Sequence, residues 1–160
     1  MLLLRSIFFT FLLPGTVTVA LPWWILSARD AGIFSSGRAS RYFGVPLTLI
    51  GAAGLLWCIW QFFAEGRGTL APIDAPKQLV VRGLYRYVRN PMYVSVLTIL
   101  IGEAIFFMST AIIIEAGIFM VLVYLFVVFY EEPTLRRQFG ESYEEYAQKV
   151  SRWIPRLKGN

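Results

Sequence analysis

Apolar residues in this chain are gathered into four long blocks, Ser6–Leu26, Gly44–Ala64, Pro91–Met108 and Ala111–Tyr130. Each holds 18 to 21 residues, and a helix rising about 1.5 Å per residue needs roughly 20 to cross the hydrocarbon of a bilayer. Lipid offers a bare backbone no hydrogen bonds, so the blocks are read as helices that satisfy themselves internally. The pattern predicts an all-α, polytopic membrane protein with about four transmembrane helices. It is organised as a single integral membrane domain, with an N-terminal helical hairpin over 1–64 and a core with a cytosolic tail over 65–160. Pro14-Gly15 and Pro22 predict a kinked or broken first span. Only Ser109-Thr110 separates the last two blocks, which requires an antiparallel hairpin.

The first block has a rival reading. Arg5 followed by an apolar run ending at Ser27-Ala28 has the outline of a secretory signal peptide. The run is longer than the roughly 7–15 residues of such a segment, and Trp23-Trp24 suits an interfacial belt, so a retained span is the expectation.

The polar stretches carry their own signals. Gly66, Gly68, Pro72 and Pro76 favour turns after the second block. Asn90 suits an N-cap and Pro91 the first helical position, so the third span is expected to open there with free amides. Such a helix start can dock a ligand's anionic or hydrogen-bond-accepting group. Past the fourth block, Leu135, Phe139, Tyr143, Tyr146 and Val150 recur at helical spacing, with Arg136, Arg137, Glu141, Glu144 and Lys149 off that stripe. Gly140 is placed to interrupt it, Ser142 and Glu145 have capping-box spacing, and Trp153, Ile154, Arg156 and Lys158 suit a return to the headgroups.

Composition agrees with the pattern. The chain is 57% hydrophobic and 16% charged with a mean hydropathy of +0.60, against about 25% charged residues in an ordinary soluble domain. Disorder is excluded, and a water-soluble globule is not the expectation. The net charge is +5, and its position matters more than its size. Of the 15 Lys and Arg, 12 fall before the first block, between the second and third, or after the fourth; only Arg29, Arg38 and Arg41 lie on the other side. The positive-inside rule then puts both termini in the cytosol. The basic excess is a topology signal first and an attraction to anionic membrane lipids second; nucleic acid is not an expected partner. One cysteine, Cys58, and no histidine exclude an intrachain disulfide, the usual zinc and haem sites and histidine-based triads, and no metal is expected. The absence of a GxGxxG or P-loop pattern argues against a Rossmann-bound cofactor.

Four features carry candidate chemistry. Glu131-Glu132 stands where the fourth block ends: it either caps the span in water or, since carboxylates at a helix C-terminus oppose the macrodipole, belongs to a ligand site. Leu79 to Tyr93 holds Arg82, Arg86, Arg89, Tyr85, Tyr87 and Tyr93, which suit either an interfacial belt or a site beside the helix start. Glu103 and Glu115 are carboxylates inside spans, at similar depth near the outer end, where headgroup contact or protonation competes with a functional role. Cys58, flanked by Trp57 and Trp60, reads as a buried, inert thiol.

The ordered set Gly83-Leu84-Tyr85-Arg86-Tyr87-Val88-Arg89-Asn90-Pro91-Met92-Tyr93, a tight apolar hairpin, Glu131-Glu132-x-x-Leu135, Phe139-Gly140-x-x-Tyr143-x-x-Tyr146 and Val150-x-Arg152-x-Ile154-Pro155 resembles the isoprenylcysteine carboxyl methyltransferase family and its phospholipid methyltransferase relatives. The resemblance runs from Lys77 to Pro155. It implies an integral membrane methyltransferase that binds S-adenosylmethionine without a Rossmann fold, between the loop before the third span and the end of the fourth. Carried over by position, cofactor contacts would fall on Lys77, Gln78, Leu79, Val80, Tyr85, Asn90, Pro91, Met92, Tyr93 and Glu131. Aromatic rings would cover the adenine, and a carboxylate would bind ribose hydroxyls or the ammonium and favour the cationic sulfonium.

The chain departs from that pattern in places. Asn90 stands where the family often has histidine, Lys77 likewise, Ser95 where glycine is common, and Val127 where an arginine engages a substrate carboxylate. The expected reaction is methyl transfer to a lipophilic acceptor, isoprenylcysteine-like or phospholipid, entering sideways from the bilayer. Tyr87, Glu132 and Arg152 are candidates to assist proton removal, and no residue is singled out as catalytic. Two other readings are a membrane reductase using NADPH and a non-enzymatic scaffold or transporter subunit in which Glu103 and Glu115 line a path.

Overall fold

The computed structural model describes residues 14–28, 40–65, 79 and 81–155. The sequence expectations on Ser6–Leu13, on the turns at Gly66 to Pro76, on Lys77, Gln78 and Val80, and on Arg156 and Lys158 lie outside them. Among the described residues every regular element is a helix, and there is no strand. In order come α1 (Thr16–Ser27), α2 (Gly44–Glu65), α3 (Pro91–Phe107), α4 (Thr110–Phe126), α5 (Glu132–Phe139) and α6 (Glu141–Lys149).

Two helices are long and apolar enough to cross a membrane, Arg41–Gln61 and Thr110–Phe139, while Thr16–Ser27 and Pro91–Phe107 are shorter apolar helices. Only 28% and 22% of the two longer apolar windows is buried by the protein, which is not how a soluble core helix behaves. Leu49, Ile50, Leu56, Trp57 and Trp60 of α2, and Ile114, Ile118, Val121 and Leu122 of α4, all face outward.

α2 and α3 form the most extensive helix pair, and small residues explain how. A methyl group added at Gly51 would stand 2.8 Å from the Ser95 carbonyl and the Ile99 amide, and one at Gly54 would stand 2.7 Å from Ser95 Oγ. Between lipid-bathed helices the gain comes from close packing rather than from leaving water, so such small positions set the approach distance. Ser95, at the position where glycine is common in the resembling family, turns its hydroxyl back to the Pro91 carbonyl at 2.8 Å. Gly51→Val, which forces these helices apart, is expected to cost about 1–3 kcal/mol, read as a lower melting temperature in detergent. The core beneath holds Leu55, Ile59, Val96, Ile99, Leu100, Ala104, Ile112 and Ala116. Cys58 is completely buried, as its inert reading requires.

The α3–α4 hairpin turns at Met108, which takes the left-handed conformation (φ 56°), and at Ser109, whose Oγ caps α4 by accepting from Ile112 N at 3.2 Å. Near this turn, Glu103 Oε2 and both carboxylate oxygens of Glu115 are buried without a hydrogen-bond partner. Arg41 lies over the Phe106 ring at 5.0 Å.

Neither of the two π-helical irregularities among the described residues is a break. In α1 the expected kink takes the form of a π-helical turn, Thr16–Ala20, closed by Leu21 N–H to the Thr16 carbonyl. A second π-turn, Val127–Glu131, joins α4 to α5 and is closed by Glu132 N–H to the Val127 carbonyl. A proline, Pro22 or Pro133, stands two residues after each. Its missing N–H cannot extend the i to i−4 ladder, and widening the preceding turn is one way a helix absorbs that.

Candidate functional site

The candidate residues collect at one end of the bundle, where α3 begins and α4 passes into α5. The fourth span was expected to end at Tyr130, leaving Glu131-Glu132 at a helix C-terminus. The structure corrects this, because the helix runs on through the π-turn to Phe139. The macrodipole is therefore no reason for the glutamates to need a ligand. What the π-turn does instead is rotate two adjacent carboxylates onto protein partners.

Glu131 meets α3. Tyr93 Oη donates to Glu131 Oε2 at 3.2 Å, joining residues 38 positions apart. Met92 and Tyr93 also border a small apolar cleft, with about 20 Å³ of enclosed room, completed by Pro14, Val17, Val96 and Phe119. The carboxylate and phenol thus adjoin a slot between α1, α3 and α4 that is lined almost wholly by carbon.

Glu132 is only 5% exposed and is held by two guanidiniums. Arg152 reaches it with Nε to Oε1 at 2.7 Å and Nη2 to Oε2 at 2.9 Å, a bidentate pair. Arg89 Nη1 approaches Oε1 at 3.2 Å and donates to Tyr143 Oη at 3.3 Å. The hydrogen bond to Glu132 holds the Arg152 guanidinium above its ordinary value.

The backbone follows the same lines. Arg89 N donates to the Ser151 carbonyl at 2.8 Å, Val88 and Ser151 form an isolated parallel bridge, and Tyr146 Oη donates to the Tyr85 carbonyl at 2.7 Å. The tail is laid along the segment that leads into α3. The expected apolar stripe forms its floor, with Tyr143, Tyr146 and Val150 packed against Leu79, Leu135 and Phe139.

Two expected caps are absent. Asn90 precedes α3 and Pro91 begins it, but Asn90 does not cap the helix with its side chain; buried, it donates Nδ2 to the Arg152 carbonyl at 3.2 Å. The tail has claimed the amide. Likewise α6 starts at Gly140, whose φ of 51° makes the corner, with no side-chain cap, so the Ser142 and Glu145 capping box does not form. Glu145 lies 3.8 Å from Lys149 instead.

Of the sequence-derived cofactor residues, Tyr85, Met92, Tyr93 and Glu131 share this end of the bundle. Pro91 is buried at the start of α3, Asn90 is turned to the tail, and Leu79 packs into the tail cluster. Lys77, Gln78 and Val80 lie outside the described residues. Among the proton-transfer candidates, Glu132 and Arg152 occupy each other and Tyr87 is 63% exposed. Val127 is fully buried within the π-turn, so it offers a ligand nothing. The spacing of the sequence gave no hint of Arg89 as the second partner of Glu132, nor of Gln61, whose carboxamide at the end of α2 lies against Gly83.

Burial raises the phenols of Tyr143 and Tyr146 above their ordinary value of 10.0, Glu132 adding to the first and Tyr143 to the second. A raised folded-state value means that the neutral form is bound more tightly when folded. That stability is complete below pH 10 and is lost as pH rises past the folded values. Faster hydrogen exchange in 141–152 above pH 10, before the apolar core responds, is the expected signature.

Two comparisons with known proteins bear on this arrangement. The family model described as phospholipid methyltransferase matches residues 39–142. Two rice sequences, from Oryza sativa subsp. indica and subsp. japonica, are each described as a probable protein-S-isoprenylcysteine O-methyltransferase and are each 33% identical over 81 residues. Those residues are 49% of this chain and 41% of either relative, so the chain spans less than half the length of the curated relatives it matches.

Proposed function

This chain belongs to the phospholipid methyltransferase family, and on that premise we propose that it is an integral membrane enzyme that methylates a lipophilic acceptor with S-adenosylmethionine. The observation that carries the reading is the Tyr93–Glu131 pair beside the apolar cleft. The pair supports the reading because it sets a carboxylate beside a small carbon-lined recess whose polarity suits part of an acyl or prenyl chain.

The donor set suits the cofactor. Glu131 Oε1 can accept from ribose hydroxyls or an ammonium, and its charge favours a sulfonium nearby. Tyr85 and Tyr93 offer rings to an adenine, and the free amides at the start of α3 offer donors. When bound, S-adenosylmethionine supplies an activated methyl group with a good leaving group. The chain is then left with alignment and the exclusion of water. Tyr93 fixes the Glu131 carboxylate by its hydrogen bond. The Arg89–Glu132–Arg152 cluster holds the segment before α3 against the tail and keeps the π-turn in register. The cleft walls keep water from the acceptor's chain. Residues 65–160 form the methyltransferase core and 1–64 the N-terminal hairpin that supplies Pro14 and Val17. The 12-to-3 bias in Lys and Arg supports a cytosolic position for this end and for both termini, on the side where the cofactor is made.

Calorimetry on the detergent-solubilised protein tests the reading, with S-adenosylmethionine, S-adenosylhomocysteine and NADPH titrated to about 1 mM. Heat with both adenosyl compounds and none with NADPH is expected. Silence from both adenosyl compounds contradicts the proposal, and heat from NADPH alone favours the reductase.

A further inference from the structure

Gln61, near the end of α2, is 8% exposed, and its Oε1 is buried without a hydrogen-bond partner. A buried amide oxygen left unpaired costs stability, and side chains of this kind in a folded protein normally have a partner. Its surroundings show where a partner would come from. Gly83 has φ +57°, a conformation that favours glycine, and any side chain there would collide with the Gln61 carboxamide. The Gly83–Arg86 turn that begins at this glycine carries Tyr85. Burial raises the Tyr85 phenol well above its ordinary value, and Cys58, one turn before Gln61 on α2, and Glu131 both add to the shift. Gln61 thus lies against the first residue of the turn that carries Tyr85. The carboxamide lies against the segment that leads into α3, where Tyr93 stands, and among the described residues nothing satisfies its Oε1.

We propose that Gln61 is a further ligand-contacting residue of this site, its Oε1 accepting a hydrogen bond from an N–H or O–H donor of the adenosyl group. This rests on S-adenosylmethionine being the methyl donor. The unpaired oxygen is a cost that the free protein carries and the complex relieves. Removing the carboxamide therefore leaves the free protein as stable or more so while weakening the complex, opposite to what loss of a structural contact does.

The test uses the full chain in detergent, with S-adenosylhomocysteine as the titrant and thermal unfolding without ligand as the second readout. Gln61→Met keeps the length of the side chain and removes its polar atoms; Gln61→Leu serves if the methionine variant does not fold. The wild type is expected to bind, and the variant to bind about ten- to a hundredfold more weakly with an unchanged or higher melting temperature. Equal affinity in wild type and variant overturns the assignment of Gln61 while leaving the methyltransferase reading intact. A lowered melting temperature with unchanged affinity gives Gln61 a structural role and also overturns it. No binding by the wild type is the failure of the functional reading itself.

Discussion

Glu131→Ala is expected to abolish measurable binding of S-adenosylhomocysteine while the protein stays folded. Among the described residues Glu131 is held by a hydrogen bond from Tyr93 at 3.2 Å. Its loss leaves the Tyr93 phenol without that acceptor, a cost of about 1–3 kcal/mol. Hydrogen bonds to an ionised acceptor contribute about 1.5–3 kcal/mol each. Removing the carboxylate thus weakens binding by about a hundredfold or more. Tyr93→Phe separates the two roles of the pair: it keeps the carboxylate but lets it swing, and is expected to weaken binding by about tenfold. Calorimetry and a melting curve check both variants. Wild-type affinity in Glu131→Ala would remove this residue from the site.

The neighbouring carboxylate is expected to behave differently. Glu132→Ala leaves Arg89, with only 12% of its side chain exposed, and Arg152 without their shared partner. Breaking a buried ion pair from one side costs about 3–5 kcal/mol, because the remaining charge stays desolvated. The loss should fall on the tail and on the segment before α3, which the cluster joins, rather than on the α2–α3 core. Hydrogen exchange is expected to show protection lost from 83–90 and 141–152 together. Glu132→Gln, which keeps the shape but not the charge, should lose less. Arg152→Lys should resemble the alanine variant more than a conservative change, since a lysine cannot reproduce the bidentate contact made at 2.7 and 2.9 Å. A tail that stays protected in Glu132→Ala would refute the role assigned to the cluster.

The contrast between adjacent glutamates shows what a sequence can and cannot display. A bilayer fixes how long an apolar block must be, so the α2 and α4 helices fall where the hydrophobic pattern puts them. Pro91 marks the start of α3 to the residue, and the stripe from Leu135 to Val150 packs as its spacing requires. Local rules fail where a tertiary partner competes. Asn90 has the chemistry of a cap but bonds the Arg152 carbonyl, 62 positions away. Ser142 and Glu145 have the spacing of a capping box, yet Gly140 makes the corner unaided. The π-turn left one readable trace, a proline two residues beyond it, repeated at Pro22 and Pro133. Which carboxylate meets Tyr93 and which meets the arginines follows from that turn's extra residue, and pair spacing in the sequence does not express it. Gln61 escaped notice for a similar reason, since a lone amide in an apolar run gains meaning only from the glycine that packs on it.

The central claim is that this end of the bundle moves a methyl group onto a lipid-soluble molecule. It is tested most directly by incubating the purified chain with methyl-labelled S-adenosylmethionine and a membrane lipid extract, then counting label in the organic phase. The account expects label to accumulate with the wild type and to stay at background with Glu131→Ala. No label from a folded wild-type protein that binds the cofactor, or equal label from both proteins, would contradict it.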